Sequence, residues 1–336
     1  MGSHKAKIYD DKWIVITGAA GFIGSGMVRH LNDRGFHNLL LVDDFGSTLK
    51  WKNLNGKNYS QIISRYDLFD YLEGRQSEIE AFIHLGACSD TTKQDGDYFM
   101  DMNYRYSIEL ATYAILNNHR FIYASSAATY GKGELGFVDD HEKIASLKPL
   151  NIYGFSKQAF DLWIKNEGLL DKVVGVKYFN VFGPNENHKG RMASMVYHMT
   201  HSIIKDGVVK LFKSNDPQYK DGEQVRDFIY VKDAVKITAD FLENDMMGIY
   251  NVGTGRPISW NELAKCVFEA LGKPVNIEYI PMPADLNSQY QNYTCADLTK
   301  FEKDLKEKEL PKATYHSIKD AVADCVQNYF TTDQRW

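Results

Sequence analysis

The sequence predicts an α/β protein: a doubly wound parallel sheet, followed by a smaller mixed α/β lobe built from the C-terminal segments. Three observations carry this. Short β-branched runs alternate with helix-spaced runs up to about residue 180, the pattern of a parallel sheet covered on both faces. The spacing G-x-x-G-x-x-G at Gly18, Gly21 and Gly24 joins the first such strand to the first helix. After Gly183 the alternation loosens into polar loops separated by short apolar pieces.

In chain order, "WIVIT" (13–17) is the first strand, and Met27, Val28 and Leu31 carry the helical spacing that follows it. "LLLVDD" (39–44) is a second strand ending in two acids. "AFIHLGA" (81–87) and "RFIYASS" (120–126) are buried strands flanking an amphipathic stretch over 97–117, and "VVGVKYFNVFG" (173–183) is one further strand. "NENHKGRMAS" (185–194), "KSNDPQYKDGEQ" (213–224) and "PMPADLNSQYQ" (281–291) are polar loops. "DFIYVKDAVKITADFLE" (227–243) returns to a strand and a helix, and 259–271 is helical. The expected division is a Rossmann-like dinucleotide-binding domain, 1–180 plus 226–255, and a substrate-binding lobe, 181–225 plus 256–336.

Composition narrows the function. A 44% hydrophobic, 25% charged chain with net charge −5 is an ordinary globular protein. No charged tail points to nucleic acid or a membrane surface as partner. The first residues are too polar for a signal peptide, and no apolar run approaches the ~18 residues of a membrane span. Cys88, Cys266, Cys295 and Cys325 lie far apart with no C-x-x-C pair, which fits a reducing cytoplasm and argues against a zinc site. His198 and His201 share a helix face without a third ligand, so no metal is expected.

Glycine between strand and helix permits a tight turn and lets the backbone approach a pyrophosphate at the helix N-terminus. Asp43, ending the second strand, is placed to bind ribose hydroxyls and favours NAD. Lys50 and Lys52 downstream offer a 2′-phosphate partner and favour NADP; as a solvated turn they say nothing about either.

Tyr153 and Lys157 stand four apart in "NIYGFSK", so phenol and ammonium share a helix face. Of 21 tyrosines, only Tyr315 also has a lysine, Lys319, four residues on. Tyr153 follows the strand ending in "SSAATYG" (125–131), whose C-terminal end faces the crevice of a parallel sheet. The Tyr315 pair has no such neighbour and is assigned to the surface. Removing an alcohol proton near pH 7 requires lowering a phenol by about three units, ~4 kcal/mol. One positive charge at ~4 Å supplies roughly that at an effective dielectric of ~20. Ser126 is placed to hydrogen-bond the same oxygen.

"TGAAGFIG", "SSAATYG" and "YGFSK" together resemble the extended short-chain dehydrogenase/reductase family, whose members mostly modify nucleotide sugars. The resemblance implies catalytic Ser126, Tyr153 and Lys157. It places the cofactor on Gly18, Gly21, Phe22, Ile23 and Gly24, then Asp43, Asp44 and Lys50. Leu85, Gly86, Ala87, Cys88 and Ser89, with Asn103 and Val181, complete that set, joined by Tyr153, Lys157 and Lys189. Ala127, Ala128 and Thr129 follow the serine where the family's dehydratases carry an acid pair, which speaks against water elimination.

"GACSDTT" (86–92), "SSAATYG", "YFNVFGPNENHKGRMAS", "VRDFIYVKD" and "YQNYTCADL" are similar to one subgroup, the ADP-heptose 6-epimerases that make a lipopolysaccharide core precursor. That similarity implies inversion at C6 through a transient ketone, and a cytoplasmic homo-oligomer, a pentamer in this subgroup. One fixed base does not serve both epimers, and the subgroup assigns a second acid/base to Lys189 of "HKG". Two other readings of Lys189 stay open: a cation gripping a diphosphate, and a solvated loop residue. The subgroup places substrate against Asn180, His198, Phe212, Lys213, Ser214 and Asn215, and against Arg226 and Tyr290. Arg226 suits a diphosphate because a guanidinium binds it bidentately, unless it pairs with neighbouring Asp227. Leu85 and Arg191 depart from the subgroup's pattern; Arg191 stands where substrate is expected and leaves another sugar nucleotide open. The alternatives are another nucleotide-sugar epimerase or reductase on this scaffold, and a non-catalytic cofactor sensor.

Overall fold

The structure, a computed structural model, describes residues 11–90, 93, 95–283 and 290–336. The polar N-terminal segment 1–10, Thr91 and Thr92 of "GACSDTT", and 284–289 of the late polar loop lie outside the described residues.

Seven parallel strands form the central sheet: β1 (Trp13–Thr17), β2 (Leu39–Val42), β3 (Gln61–Ile63), β4 (Ile79–His84), β5 (Arg120–Ser126), β6 (Val173–Tyr178) and β11 (Gly248–Val252). Their order is β11-β6-β5-β4-β1-β2-β3, so the chain winds outward in both directions from β1 and β4. Successive side chains of a strand point to opposite faces. Ile14, Ile16, Leu39, Leu41, Ile83 and Val176 therefore pack under α1 (Phe22–Asp33) and α7 (Val231–Asp240). Val15, Leu40, Phe82, Phe121 and Val173 pack under α4 (Tyr106–Leu116) and α5 (Ile152–Asn166). Both faces are covered, which is why the strands read as nearly continuous apolar runs.

Three elements differ from the sequence reading. The run 173–183 is two strands, because the chain leaves the sheet at Phe179. β6 ends at Tyr178, and β7 (Asn180–Phe182) pairs instead with β10 (Phe228–Tyr230). β3 is a half-exposed edge strand of three residues, too short to give a pattern. The amphipathic stretch 97–117 holds a π-helical turn, Asp101–Arg105, between Gly96–Met100 and α4. Tyr315 is half-buried rather than on the surface, while Lys319 is exposed and pairs with Glu269 at 2.5 Å.

The C-terminal segments add α6 (Met195–Asp206), α8 (Trp260–Ala270) and two small sheets. β8 (Val209–Phe212) runs parallel to β13 (Ile277–Ile280), and β9 (Val225–Arg226) runs antiparallel to β12 (Ile258–Ser259). Helix Ile318–Asp324 packs on α8, and the chain then returns to α1, where the Trp336 ring lies against Gly26. Among the described residues no helix is long and apolar enough to cross a membrane.

Candidate active site

The glycine turn is shaped by close approach. Gly18 has φ +67°, and a Cβ there would stand 2.7 Å from Gly86. A Cβ on Gly24 would stand 2.0 Å from the Gly18 carbonyl. Only glycine fits such contacts. α1 then begins at Phe22 with no side-chain cap and no acid in its first turn. Its leading amides, those of Phe22, Ile23 and Gly24, are thus left to an anionic ligand, and a dinucleotide pyrophosphate fits this cradle. Asp43 accepts from the Ala20 amide at 2.7 Å, from the Asp44 amide at 2.8 Å and from Lys50 Nζ at 2.6 Å. The acid expected to favour NAD and the lysine expected to favour NADP are therefore paired. Asp44 accepts from Ser64 Oγ at 2.7 Å and Arg65 Nε at 2.5 Å.

The second wall runs from Leu85 to Ser89. The Gly86 amide donates to Thr17 Oγ1 at 3.1 Å. Cys88 is held at both ends by Asn103, which accepts from its amide at 2.8 Å and donates to its carbonyl at 2.9 Å. Asn103 also donates to Ser156 Oγ at 2.9 Å, and Ser156 donates to the Tyr153 carbonyl at 2.8 Å. Asn103 is buried and committed to these partners. It ties this wall to the Tyr153 helix. Ala87 is half-buried and Ser89 exposed.

Asn151 caps α5, accepting from the Gly154 amide at 2.8 Å, and so places Tyr153 and Lys157 in its first two turns. Ser126 ends β5, and its Oγ accepts from the Ala128 amide at 3.1 Å. Ser126 stands near enough to Tyr153 to act on its phenol. Burial holds the Tyr153 phenol above its ordinary range, and nearby Ser126 partly offsets this. Lys157 was expected to lower it. Instead, Lys157 is 4% exposed, donates to the Ala124 carbonyl at 2.8 Å, and is pushed down by burial to about 8.

The loop after β7 lies against the glycine turn. Asn53, which the sequence did not single out, donates to the Ala20 carbonyl and to the Asn185 carbonyl, each at 3.0 Å. Its side chain is 3.2 Å from His188 Nδ1. Glu186 is fully buried and closes the loop, accepting from the Ser194 hydroxyl at 2.6 Å and the Ser194 amide at 2.5 Å. Lys189 is half-buried with Nζ 5.2 Å from the centre of the Phe22 ring. Burial lowers its proton affinity, and Glu186 opposes that. His188 is pushed down to about 4 by burial, then by Lys189 and Lys50.

The far side of the site is built from the C-terminal segments. Arg226 is 7% exposed. Its guanidinium lies 5.5 Å from the Trp260 ring and 5.1 Å from the Tyr290 ring, and Trp260 Nε1 donates to the Tyr290 hydroxyl at 2.9 Å. Asp227 does not pair with it. That carboxylate takes the Thr254 amide at 2.8 Å and the Gly255 and Ala296 amides at 2.9 Å. Among the described residues no carboxylate forms a salt bridge with Arg226, and burial lowers its hold on the proton. A buried cation without a counter-charge is costly unless a ligand supplies one. Phe212 stands edge-on to Tyr290 at 6.4 Å, and the Ser214 amide is held by Asp221 at 2.8 Å. Lys213 and Asn215 are exposed. Asn180 is exposed at the end of β7, with Oδ1 3.4 Å from Thr294 Oγ1, and Val181 pairs with Ile229. His198 Nε2 lies 3.3 Å from the carbonyl of the exposed Arg191, and His201 stacks on Tyr197.

Trp260 was missed because one tryptophan opening an amphipathic helix reads as core; only its place directly after β12, whose Ile258 pairs with Arg226, marks it. Asn53 gave no signal at all.

Comparison with known proteins gives this arrangement a lineage. The model of the NAD dependent epimerase/dehydratase family matches residues 14–253. The chain is 44% identical over 318 residues to an ADP-L-glycero-D-manno-heptose-6-epimerase of Nitratidesulfovibrio vulgaris, covering 94% of this chain and 97% of that one. It is 43% identical to the protein of the same name from Fusobacterium nucleatum, covering 96% and 99%. The Helicobacter pylori ADP-L-glycero-D-manno-heptose-6-epimerase structure superposes with a TM-score of 0.78 at 27% identity, covering 98% of this chain and 99% of that one. A UDP-N-acetylglucosamine 4-epimerase from Methanobrevibacter ruminantium, in complex with UDP-N-acetylmuramic acid, superposes at 0.79 and 26% identity, covering 96% and 99%. A glycine cradle, a tyrosine beside a serine with its lysine one turn on, and a family match spanning both lead to one conclusion: the chain belongs to the NAD dependent epimerase/dehydratase family.

Proposed function

We propose that this chain is an ADP-glyceromanno-heptose 6-epimerase, inverting C6 through a transient ketone. The observation that carries the chemistry is Tyr153 beside Ser126, with Lys157 one turn along the same helix, at the strand end next to the glycine cradle. The substrate follows from nearly end-to-end similarity to the heptose epimerases. When bound, a nicotinamide cofactor accepts the C6 hydride and returns it. Tyr153 takes the proton of the C6 hydroxyl, Ser126 holds the same oxygen, and Lys157, charged below about pH 8, supports the phenolate. Arg226 meets the diphosphate and gains the counter-charge it lacks.

Lys189 is the second acid/base, acting on the epimer whose hydroxyl faces away from Tyr153. Its burial-lowered proton affinity suits a group that must lose and regain a proton. A second reading, in which Lys189 grips a phosphate, is favoured by its place 5.2 Å from Phe22 at the start of α1. We infer NADP as the cofactor, since Lys50 occupies the Asp43 carboxylate and brings a cation for a 2′-phosphate; Asp43 by itself favours NAD.

The test is incubation with ADP-D-glycero-D-manno-heptose and no added cofactor. Formation of the C6 epimer is expected; no epimer from protein with cofactor verified as bound would sink the reading. Lys189→Met separates its two roles: a second base loses turnover at unchanged KM, a phosphate grip the reverse. Mass spectrometry of the retained nucleotide decides between NADP and NAD.

A further inference from the structure

Beneath the Tyr153 helix lies a buried ion pair that the proposed chemistry does not use. Asp161 stands on α5 one turn past Lys157, and Lys177 stands on β6, where it interrupts an otherwise apolar strand. Neither is more than 1% exposed, and Lys177 Nζ is 2.5 Å from Asp161 Oδ2.

The pair joins the elements that carry Ser126, Tyr153 and Lys157. Asp161 accepts from Ser125 Oγ at 2.7 Å and from the Tyr123 hydroxyl at 2.9 Å, both on β5 beside Ser126. Lys177 also donates to Thr129 Oγ1 at 2.8 Å, and Thr129 donates to the Ser126 carbonyl at 2.8 Å. Ser126 in turn acts on the Tyr153 phenol of α5, beside which it lies. A buried ion pair is a weak source of stability, because desolvation offsets most of the attraction and an apolar pair would pack as well. Its charges do act on their surroundings, and Lys157 is the neighbour one turn away.

We propose that Asp161 and Lys177 are positioning residues for the Ser126–Tyr153–Lys157 group. They fix the Tyr153 helix against the Ser126 strand, and their opposed charges set how firmly Lys157 holds its proton. This rests on the reading of Tyr153 and Lys157 as the proton-transfer pair. The groups facing Asp161 are Tyr123 on β5, Lys177 on β6 and Lys157 on its own helix; Tyr130 and His141 also feel its charge. Lys157 in turn faces Tyr153 on its own helix and acts on the buried His84 of β4. Asp161 is the charge that raises Lys157, against the burial that lowers it.

The experiment titrates Lys157 directly, through the side-chain carbon resonance of labelled lysine that disappears in Lys157→Arg. Lys177→Met leaves Asp161 unopposed and is expected to raise the Lys157 midpoint. Asp161→Asn with Lys177→Met removes both charges and is expected to bring it about one pH unit below Lys177→Met, in line with loss of one nearby charge. Lys177→Arg is expected to restore the wild-type midpoint. Asp161→Asn alone strands a buried lysine and is the variant most prone to misfold, so the contrast does not depend on it. Equal midpoints in Lys177→Met and the double variant, with both folded by circular dichroism, would overturn the proposal. The titration needs no substrate. In turnover, the alkaline limb of the kcat profile is expected to follow the same order. If the midpoints order as stated while that limb stays still, the network stands and the reading of Tyr153 and Lys157 as the proton-transfer pair fails.

Discussion

At the scale of single residues, the site is a set of groups held away from their ordinary protonation. The Tyr153 phenol is held up by burial and Lys157 is held down to about 8. A positioned acid/base contributes about 10²–10⁴ in rate. Tyr153→Phe should therefore cost about that factor in kcat while KM moves only a few-fold; steady-state kinetics with the heptose nucleotide check it, and near-normal turnover would relocate the base. Arg226 presents the opposite case. Its charge is buried between Trp260 and Tyr290 with no carboxylate paired to it among the described residues, and the proposed counter-charge is the substrate's diphosphate. Hydrogen bonds to charged groups contribute about 1.5–3 kcal/mol, so Arg226→Met should raise KM roughly 10- to 100-fold with kcat little changed. A fall in kcat at unchanged KM would move Arg226 out of diphosphate binding. Both residues were visible in the sequence, Tyr153 by its spacing to Lys157 and its place after the "SSAATYG" strand, Arg226 by the segment it sits in. What the sequence did not carry was the fate of Asp227, whose carboxylate is spent on three amides from two distant segments.

At the scale of elements, side chains buried between strand and helix decide how the site walls meet. His84 ends β4 with Nδ1 2.6 Å from Thr17 Oγ1 on β1 and Nε2 2.8 Å from Ser107 Oγ on α4. Burial pushes it down to about 3. The folded state therefore keeps His84 neutral where the unfolded chain, near 6.5, takes a proton. The unfolded state binds more protons between pH 6.5 and 3, so the stability His84 contributes is present above 6.5 and lost as pH falls through that window. Between pH 7 and 5.5 the loss is about 1.3 kcal/mol. Thermal unfolding of the wild type should show that decrement, and His84→Asn should flatten it; equal slopes would mean the ring titrates freely in the fold. Sequence reasoning placed β1, β2, β4, β5 and most helices because two-sided burial leaves dense apolar runs. It failed at 173–183, where such a run hides the break at Phe179. The Phe179 amide still bonds to the Val252 carbonyl, but the next residue bonds to the carbonyl of Asp227 in the second sheet. A tertiary partner, not a local preference, ends β6. Lys177 in that run was a signal left unread: a lysine in a doubly covered strand requires a buried acid.

At the scale of the whole molecule, the site exists because distant segments converge on α1. The glycine turn belongs to the first residues of the sheet, Lys189 to a loop more than 160 positions later, and Trp336 to the last described turn. Asn185 joins the last two to the first. It donates to Ser25 Oγ on α1 at 3.0 Å and to the Trp336 carbonyl at 3.1 Å, and it accepts from the Trp336 amide at 2.8 Å. Lys57 donates to the Asn53 carbonyl at 2.6 Å and to the Trp336 carbonyl, so Asn53 and the loop it holds share the same anchor. None of this was legible in the sequence, since convergence of four segments leaves no local pattern in any of them. The Trp336 ring fills the space over Gly26, where an added Cβ would stand 3.2 Å from it, and Lys232 Nζ lies 5.3 Å from its centre. Trp336→Ala keeps the backbone bonds to Asn185 but empties that space beside the cofactor helix. Aromatic-to-alanine changes in full cores cost about 3–5 kcal/mol; a half-buried ring should cost about 2. The stability loss should come with a loosened 183–194 loop, read as faster amide exchange at Lys189 and as less nucleotide retained through purification. Lower stability with unchanged exchange in that loop would confine Trp336 to packing and leave the placement of Lys189 to Glu186 and Asn53 alone.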